Sequence, residues 1–125
     1  MKNKVDASEF QIQCALIEWA KHKKIPGTNE HVSDFLIAIP NGGSRHIAEA
    51  LNLKRSGVKA GVSDLFFAYP RGGCHGMWIE LKKPKGAKSK KQAEFITQMQ
   101  AVGYLAGFVY GLDDAILIIE KYLGM

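Results

Sequence analysis

The stretch GVSDLFFAYPRGGCHGMWIELK, residues 61–82, decides the fold. Two apolar runs, Asp64 to Tyr69 and Met77 to Lys82, flank the turn Pro70-Arg71-Gly72-Gly73. Short runs rich in aromatic and aliphatic residues, separated by a Gly/Pro turn, read as the two strands of a hairpin. Side chains alternate along a strand, so Met77, Ile79 and Leu81 face one way and Trp78, Glu80 and Lys82 the other. Glu80 and Lys82 are then neighbours on one face, about 6.5 Å apart along the strand.

Outward from the hairpin, residues 8–23 read as a helix, with Phe10, Cys14 and Ile17 on one face and Ile12, Leu16 and Trp19 close by. Ser8 with Gln11 forms a capping box at its start. After the break at Pro26-Gly27-Thr28-Asn29, Asp34 to Ile39 reads as a short strand, stopped by Pro40-Asn41-Gly42-Gly43. Residues 45–56 read as a helix ending near Gly57. Beyond the hairpin come a helix over 89–102, with Phe95, Met99 and Val102 at helical spacing, a strand from Tyr104 to Tyr110, and a last helix over 113–123. Gly103 suits the residue just past a helix end. The order α-β-α-β-β-α-β-α, with a central hairpin, points to an α/β domain: a mixed four-stranded sheet flanked by helices. The segment 77–110 is expected to be a parallel crossover.

The 125 residues suit a single domain, 1–125, large enough to bury a core. A hydrophobic fraction of 46% and a charged fraction of 23% are ordinary for a globular protein. No apolar run has the roughly 18 residues of a membrane helix. The opening MKNKVDASEF carries no apolar stretch of a signal peptide, so the cytoplasm is the expected location. Cys14 and Cys74 have no CxxC or metal spacing. Cys14 is expected in the core, and Cys74 has no assigned role. His22, His31, His46 and His75 are scattered without zinc spacing, which disfavours a histidine-metal nuclease. Gly42-Gly43 and Gly72-Gly73 are turn glycines, neither making a phosphate-binding Walker loop.

The net charge of +5 favours an anionic partner only weakly. Its distribution says more: Lys82, Lys83, Lys85, Lys88, Lys90 and Lys91 fall within residues 82–91. Such a segment is either a solvated loop or a groove for phosphates.

Taken alone, Glu80-Leu81-Lys82 could be a strand end emerging into solvent with an incidental ion pair. Asp64 changes the weighing. It lies sixteen residues earlier, and a hairpin turning around 70–75 brings it to the same end of the sheet. Two converging carboxylates form a hard-oxygen site suited to Mg²⁺ or Mn²⁺, with the Leu81 carbonyl as a natural further ligand. A divalent ion there could acidify bound water and stabilise charge on a phosphoryl oxygen. Lys82 could orient that water or stabilise the negative transition state. Asp64 could also be no more than a turn residue after Gly61.

An Asp followed by Glu-Leu-Lys, after the turn Gly61-Val62-Ser63-Asp64, resembles the signature of the PD-(D/E)XK nuclease superfamily, which implies a restriction-endonuclease-like core. The similarity extends further. Ile39-Pro40-Asn41-Gly42-Gly43, Arg45, Leu53-Lys54 with Gly57, Gly61-Val62-Ser63-Asp64-Leu65, Ile79-Glu80-Leu81-Lys82, Ser89 to Gln92 and Gly103-Tyr104 occur in the order found in the VRR-NUC family, the virus-type replication and repair nucleases. The resemblance runs from about Glu9 to Leu123. Ser63 departs from the family pattern, which has proline there. That proline shapes a turn and ligates nothing, so the departure leaves the site intact.

The resemblance implies further roles. Glu9 matches an acidic residue that can complete the metal site, and it could equally be a glutamate favourable to the helix dipole. Gln92 matches the glutamine following Glu-x-Lys, while Ser89-Lys90-Lys91-Gln92 is a capping box in its own right. Asn41, Arg45 and Lys54 are expected to contact phosphates or support the site, with an ordinary surface charge the alternative for Arg45. Lys83, Lys85, Lys88, Lys90 and Lys91 would hold the DNA backbone without reading sequence. DNA as the substrate, branched DNA such as four-way junctions, homodimerism and a phage or mobile-element origin, hence a bacterial host cell, are all implied by the family. The apolar last helix or the first helix could supply a dimer surface. The alternatives are a nucleic-acid-binding module of nuclease fold with little or no cleavage, and a structural protein with a solvated lysine loop.

Overall fold

The computed structural model describes residues 7–40 and 46–125. Four helices, α1 (Glu9–His22), α2 (Ile47–Arg55), α3 (Lys90–Ala101) and α4 (Leu112–Tyr122), accompany strands β1 (Leu36–Ala38), β2 (Leu65–Phe67), β3 (Met77–Lys82) and β4 (Leu105–Tyr110). A single 3-10 turn, Val32–Asp34, precedes β1. The sheet order is β1-β2-β3-β4, antiparallel across the first two pairs and parallel between β3 and β4. The expected hairpin and the expected parallel crossover are both present.

The two sheet faces have different chemistry, as strand alternation requires. One face carries Leu65, Phe67, Met77, Ile79 and Leu81, which form the core with Ile12, Leu16 and Ala20 of α1 and Ala115 and Ile119 of α4. The buried stripe of α1 is thus Ile12-Leu16-Ala20, spaced four apart. The expected Phe10-Cys14-Ile17 face is a correction: Phe10 and Cys14 are exposed, and Ile17 only flanks the core. Both stripes fit a helical period, and the second apolar row, completed by a small alanine, is the one that meets the sheet. Val102 is likewise exposed, and α3 buries Ile96 instead.

The opposite face pairs Ile37, Phe66, Trp78 and Ala106 across the four strands. Phe66 stacks on Trp78 with ring centroids 4.3 Å apart, and Phe95 of α3 meets Trp78 edge-on at 5.0 Å. Helix α3 covers this face, whereas α2 buries none of its residues and stands as a separate wall.

Candidate active site

The register Leu65↔Ile79 sets the next pair along, Asp64 and Glu80, at one end of the β2–β3 ladder. The Asp64 backbone carbonyl accepts the Ile39 N–H at 2.8 Å, which ties the residue to β1 as well. Its side chain continues the ladder in place of a backbone acceptor: Oδ2 accepts the Leu81 N–H at 2.8 Å. Gly61 makes the approach possible. Its φ is +88°, and a Cβ there would lie 2.6 Å from the Lys91 carbonyl oxygen, so only glycine lets this loop press against the start of α3.

Glu80 and Lys82 share the face of β3 that also carries Trp78, and both are buried, 3% and 8% exposed. That excludes a strand end emerging into solvent. Lys82 Nζ lies 3.9 Å from Glu80 Oε1. The same oxygen accepts a hydrogen bond from Gln92 Nε2 at 2.7 Å. Glu80 Oε2 is buried and meets no N–H or hydroxyl donor; its neighbour is the Asp64 carboxyl, with which it can hydrogen-bond only when one of the two carries a proton.

Gln92 both closes the cap of α3 and reaches Glu80. Ser89 caps α3 by accepting the Gln92 N–H at 3.1 Å, and Gln92 Oε1 accepts the Ser89 N–H at 3.2 Å. With Oε1 engaged by Ser89, the amide nitrogen is the end left to face Glu80. The helix cap therefore aims the amide.

Burial, and next the negative charge of Asp64, push the Glu80 carboxyl up to about 8. Burial also raises Asp64, opposed by the hydrogen bond from Leu81. Glu9 at the start of α1 adds negative charge that raises Asp64 further, and its Oε2 accepts the Lys83 N–H at 3.3 Å. Among the described residues, no three His, Cys, Asp and Glu side chains gather into a metal cage. The site is a carboxylate pair with Glu9 adjoining through the backbone of Lys83. A pair fits Mg²⁺, which keeps several waters and takes one or two carboxylates. The unfavourable proximity of two carboxylates, one buried and one half-buried, is what a divalent cation would relieve.

Asp64, Glu80 and Gln92 open into a cleft of about 1000 Å³ between α2, the 57–62 loop and α3. Lys54 and Lys91 line it, and so does Lys59, a cation that sequence reading missed and that its place in the turn before Asp64 could have signalled. Lys83, Lys85, Lys88 and Lys90 are exposed on the segment leaving β3 and do not line the cleft. Lys88 Nζ sits 5.0 Å over the Phe108 ring, and Lys90 pairs with Glu94 at 4.0 Å. Asn41 and Arg45 fall outside the described residues. Ser63 is fully buried with its hydroxyl unpaired, so its pocket is one that an apolar residue would suit.

The family model for the VRR-NUC domain matches residues 6–113, a span that holds Glu9, Asp64, Glu80, Lys82 and Gln92. The chain is similar to a solved structure described as a VRR_NUC domain protein, with a TM-score of 0.83 and 30% sequence identity over 96% of this chain and 91% of that one. No curated protein matches it.

Proposed function

The chain belongs to the VRR-NUC family, which implies a nuclease-type function, and on that premise we propose a metal-dependent DNA endonuclease that hydrolyses phosphodiester bonds. The observation that carries this reading is the meeting of two carboxylates, half-buried Asp64 and buried Glu80, with buried Lys82 beside them. Asp64 and Glu80, with the Leu81 carbonyl, would hold Mg²⁺ or Mn²⁺, and Glu9 would add negative charge beside them. Such an ion would acidify bound water and offset the negative charge that builds on a phosphoryl oxygen.

The remaining work falls to the chain itself. Leu81 N–H holds Asp64, and the Gln92 amide holds Glu80, so neither carboxylate must reorganise when substrate arrives. Lys82, nearly dry, offers a cation whose field is weakly screened, placed to orient water and to stabilise the charge that builds on the phosphate. Lys54, Lys59 and Lys91 border the approach and would neutralise backbone phosphates.

The preferred substrate in this reading is branched DNA, a four-way junction above all, cut by a homodimer. A two-fold pair of sites suits a junction with matching symmetry. The last helix is a poor source of the dimer surface, since Ala115 and Ile119 are buried in the core and Leu117 is its exposed large apolar residue. No helix among the described residues is long and apolar enough to cross a membrane. Cleavage of labelled single strand, duplex, splayed arm and four-way junction, each with Mg²⁺, Mn²⁺ or EDTA, tests the activity. Sedimentation with junction DNA tests the dimer. Junction cutting by a dimer is expected. Tight binding with no cutting in either metal would favour a binding module of nuclease fold, and monomers alone at micromolar concentration would remove the dimer.

A further inference from the structure

The cleft beside the carboxylates is not lined as a track for phosphates alone. Ala50, Leu53, Val58, Val62 and Phe95 give it apolar walls, next to Asp64 and Glu80. Leu53 and Phe95 are half-buried, and Val58 is 43% exposed. Its cations, Lys54, Lys59 and Lys91, come from α2, from the loop and from α3. A volume of about 1000 Å³ is at the upper end for a site engulfing one small organic group, and far too small for a duplex.

An apolar recess with cations around it, adjoining a site for a phosphodiester, matches the chemistry of one nucleotide: a flat apolar base joined to an anionic backbone. Glu94 also lines the cleft and faces exposed Lys90 at 4.0 Å, a contact that offsets its charge only in part. Gln98 adds an amide able to meet a base edge. We propose that the cleft receives the base of one unpaired nucleotide flanking the phosphodiester to be cut. The chain would thereby select DNA where a base has already left the stack. This inference rests on the nuclease reading and names what that site recognises.

Energetics make the selection one-sided. Packing a base against an apolar or aromatic wall gains about as much as extruding a paired base costs. An intact duplex therefore gains little from the recess, whereas an unpaired base at a bulge, flap or branch has no pairing to give up. The recess would direct cutting toward branch points without reading any base identity.

The test uses three duplexes that differ at one position: fully paired, with a single bulged adenine, and with the same bulge lacking its base. Binding is measured by anisotropy at low salt in EDTA, and cleavage in Mg²⁺ or Mn²⁺. The bulged adenine is expected to bind roughly tenfold tighter than its baseless twin, the difference that one stacked base makes. Leu53→Asp, and separately Val58→Asp on the more exposed part of the wall, should bring that ratio close to one while the melting temperature stays near that of the unmodified protein. Equal binding of the two bulges by the unmodified protein, or a ratio that survives both folded variants, would overturn the proposal. Base-dependent binding without cutting in either metal would support the recess and defeat the nuclease reading. Cutting with base-independent binding would do the reverse.

Discussion

Asp64, at the threshold of β2, accepts the backbone N–H of Leu81 at 2.8 Å and so fixes its carboxylate to the strand that carries Glu80 and Lys82. Structure and chemistry share one side chain here, and two substitutions separate them. Asp64→Asn keeps an acceptor for Leu81, so the fold should melt within a few degrees of the unmodified protein while cleavage falls by at least about a hundredfold. Asp64→Ala leaves a buried N–H unpaired, at a cost of about 1–3 kcal/mol, and should lower the melting temperature as well. Thermal melts of both variants beside a cleavage assay check this. Equal destabilisation by both would deny the hydrogen bond its role.

The Glu80 carboxyl gives the stability of the metal-free protein a distinctive pH dependence. Burial, then the charge of Asp64, raise it from 4.5 to about 8. Between those values the folded protein holds a proton that the unfolded chain has released. Stability must therefore fall as pH rises through that window, and the raised Asp64 acts in the same direction. In EDTA the melting temperature is expected to be several degrees lower at pH 8.5 than at pH 5.5, and Glu80→Gln should flatten the slope. Mg²⁺ or Mn²⁺ should raise the melting temperature most at the higher pH, where both carboxylates are free to bind it. A slope unchanged in Glu80→Gln would contradict the assignment.

Gln92 links the cap of α3 to the site. Gln92→Glu can still accept the Ser89 N–H, so the helix cap survives, but it replaces the hydrogen bond to Glu80 with repulsion. Activity should drop about ten- to a hundredfold, and the melting temperature should fall most at high pH, where both carboxyls ionise. Gln92→Met gives up both interactions and should cost about 1 kcal/mol of stability besides. Unchanged turnover in Gln92→Glu would mean that the amide does not position the carboxylate.

Much of this arrangement was legible in the chain. Strand alternation put Glu80 and Lys82 on one face, and the Gly/Pro turn after Tyr69 set the hairpin that brings Asp64 to them. The two capping boxes, Ser8 with Gln11 and Ser89 with Gln92, were readable because their bonds are local in sequence. Tertiary choices were not readable. Helix α1 offers two apolar rows, and only the packed sheet selects Ile12, Leu16 and Ala20 over Phe10 and Cys14. The lysine-rich segment hid a similar choice. Spacing could not tell Lys91, which lines the cleft, from Lys88, which rests on Phe108. Lys59 lines the cleft as well, five residues before Asp64 in the turn that leads to it.

That division of the lysines is measurable. Removing a cation that neutralises one phosphate should reduce the slope of log affinity against log salt by about 0.7–0.9. Lys54→Ala with Lys91→Ala should therefore flatten the slope by about 1–2, whereas Lys85→Ala with Lys88→Ala should change it less. The reverse ranking would move the DNA path from the cleft to the 83–89 segment.

The central claim is that Asp64, Glu80 and Lys82 form a hydrolytic centre, and Lys82 tests it most directly, because its ammonium is buried beside Glu80 and is not one of the exposed lysines that border the cleft. The measurement is junction cleavage and junction binding, side by side, for the unmodified protein, Lys82→Ala and Lys82→Gln, in Mg²⁺, Mn²⁺ and EDTA. The account predicts metal-dependent cutting by the unmodified protein, a loss of at least about a hundredfold in both variants, and DNA affinity within about threefold of the original. Cutting that survives loss of Lys82, or that persists in EDTA, would contradict it.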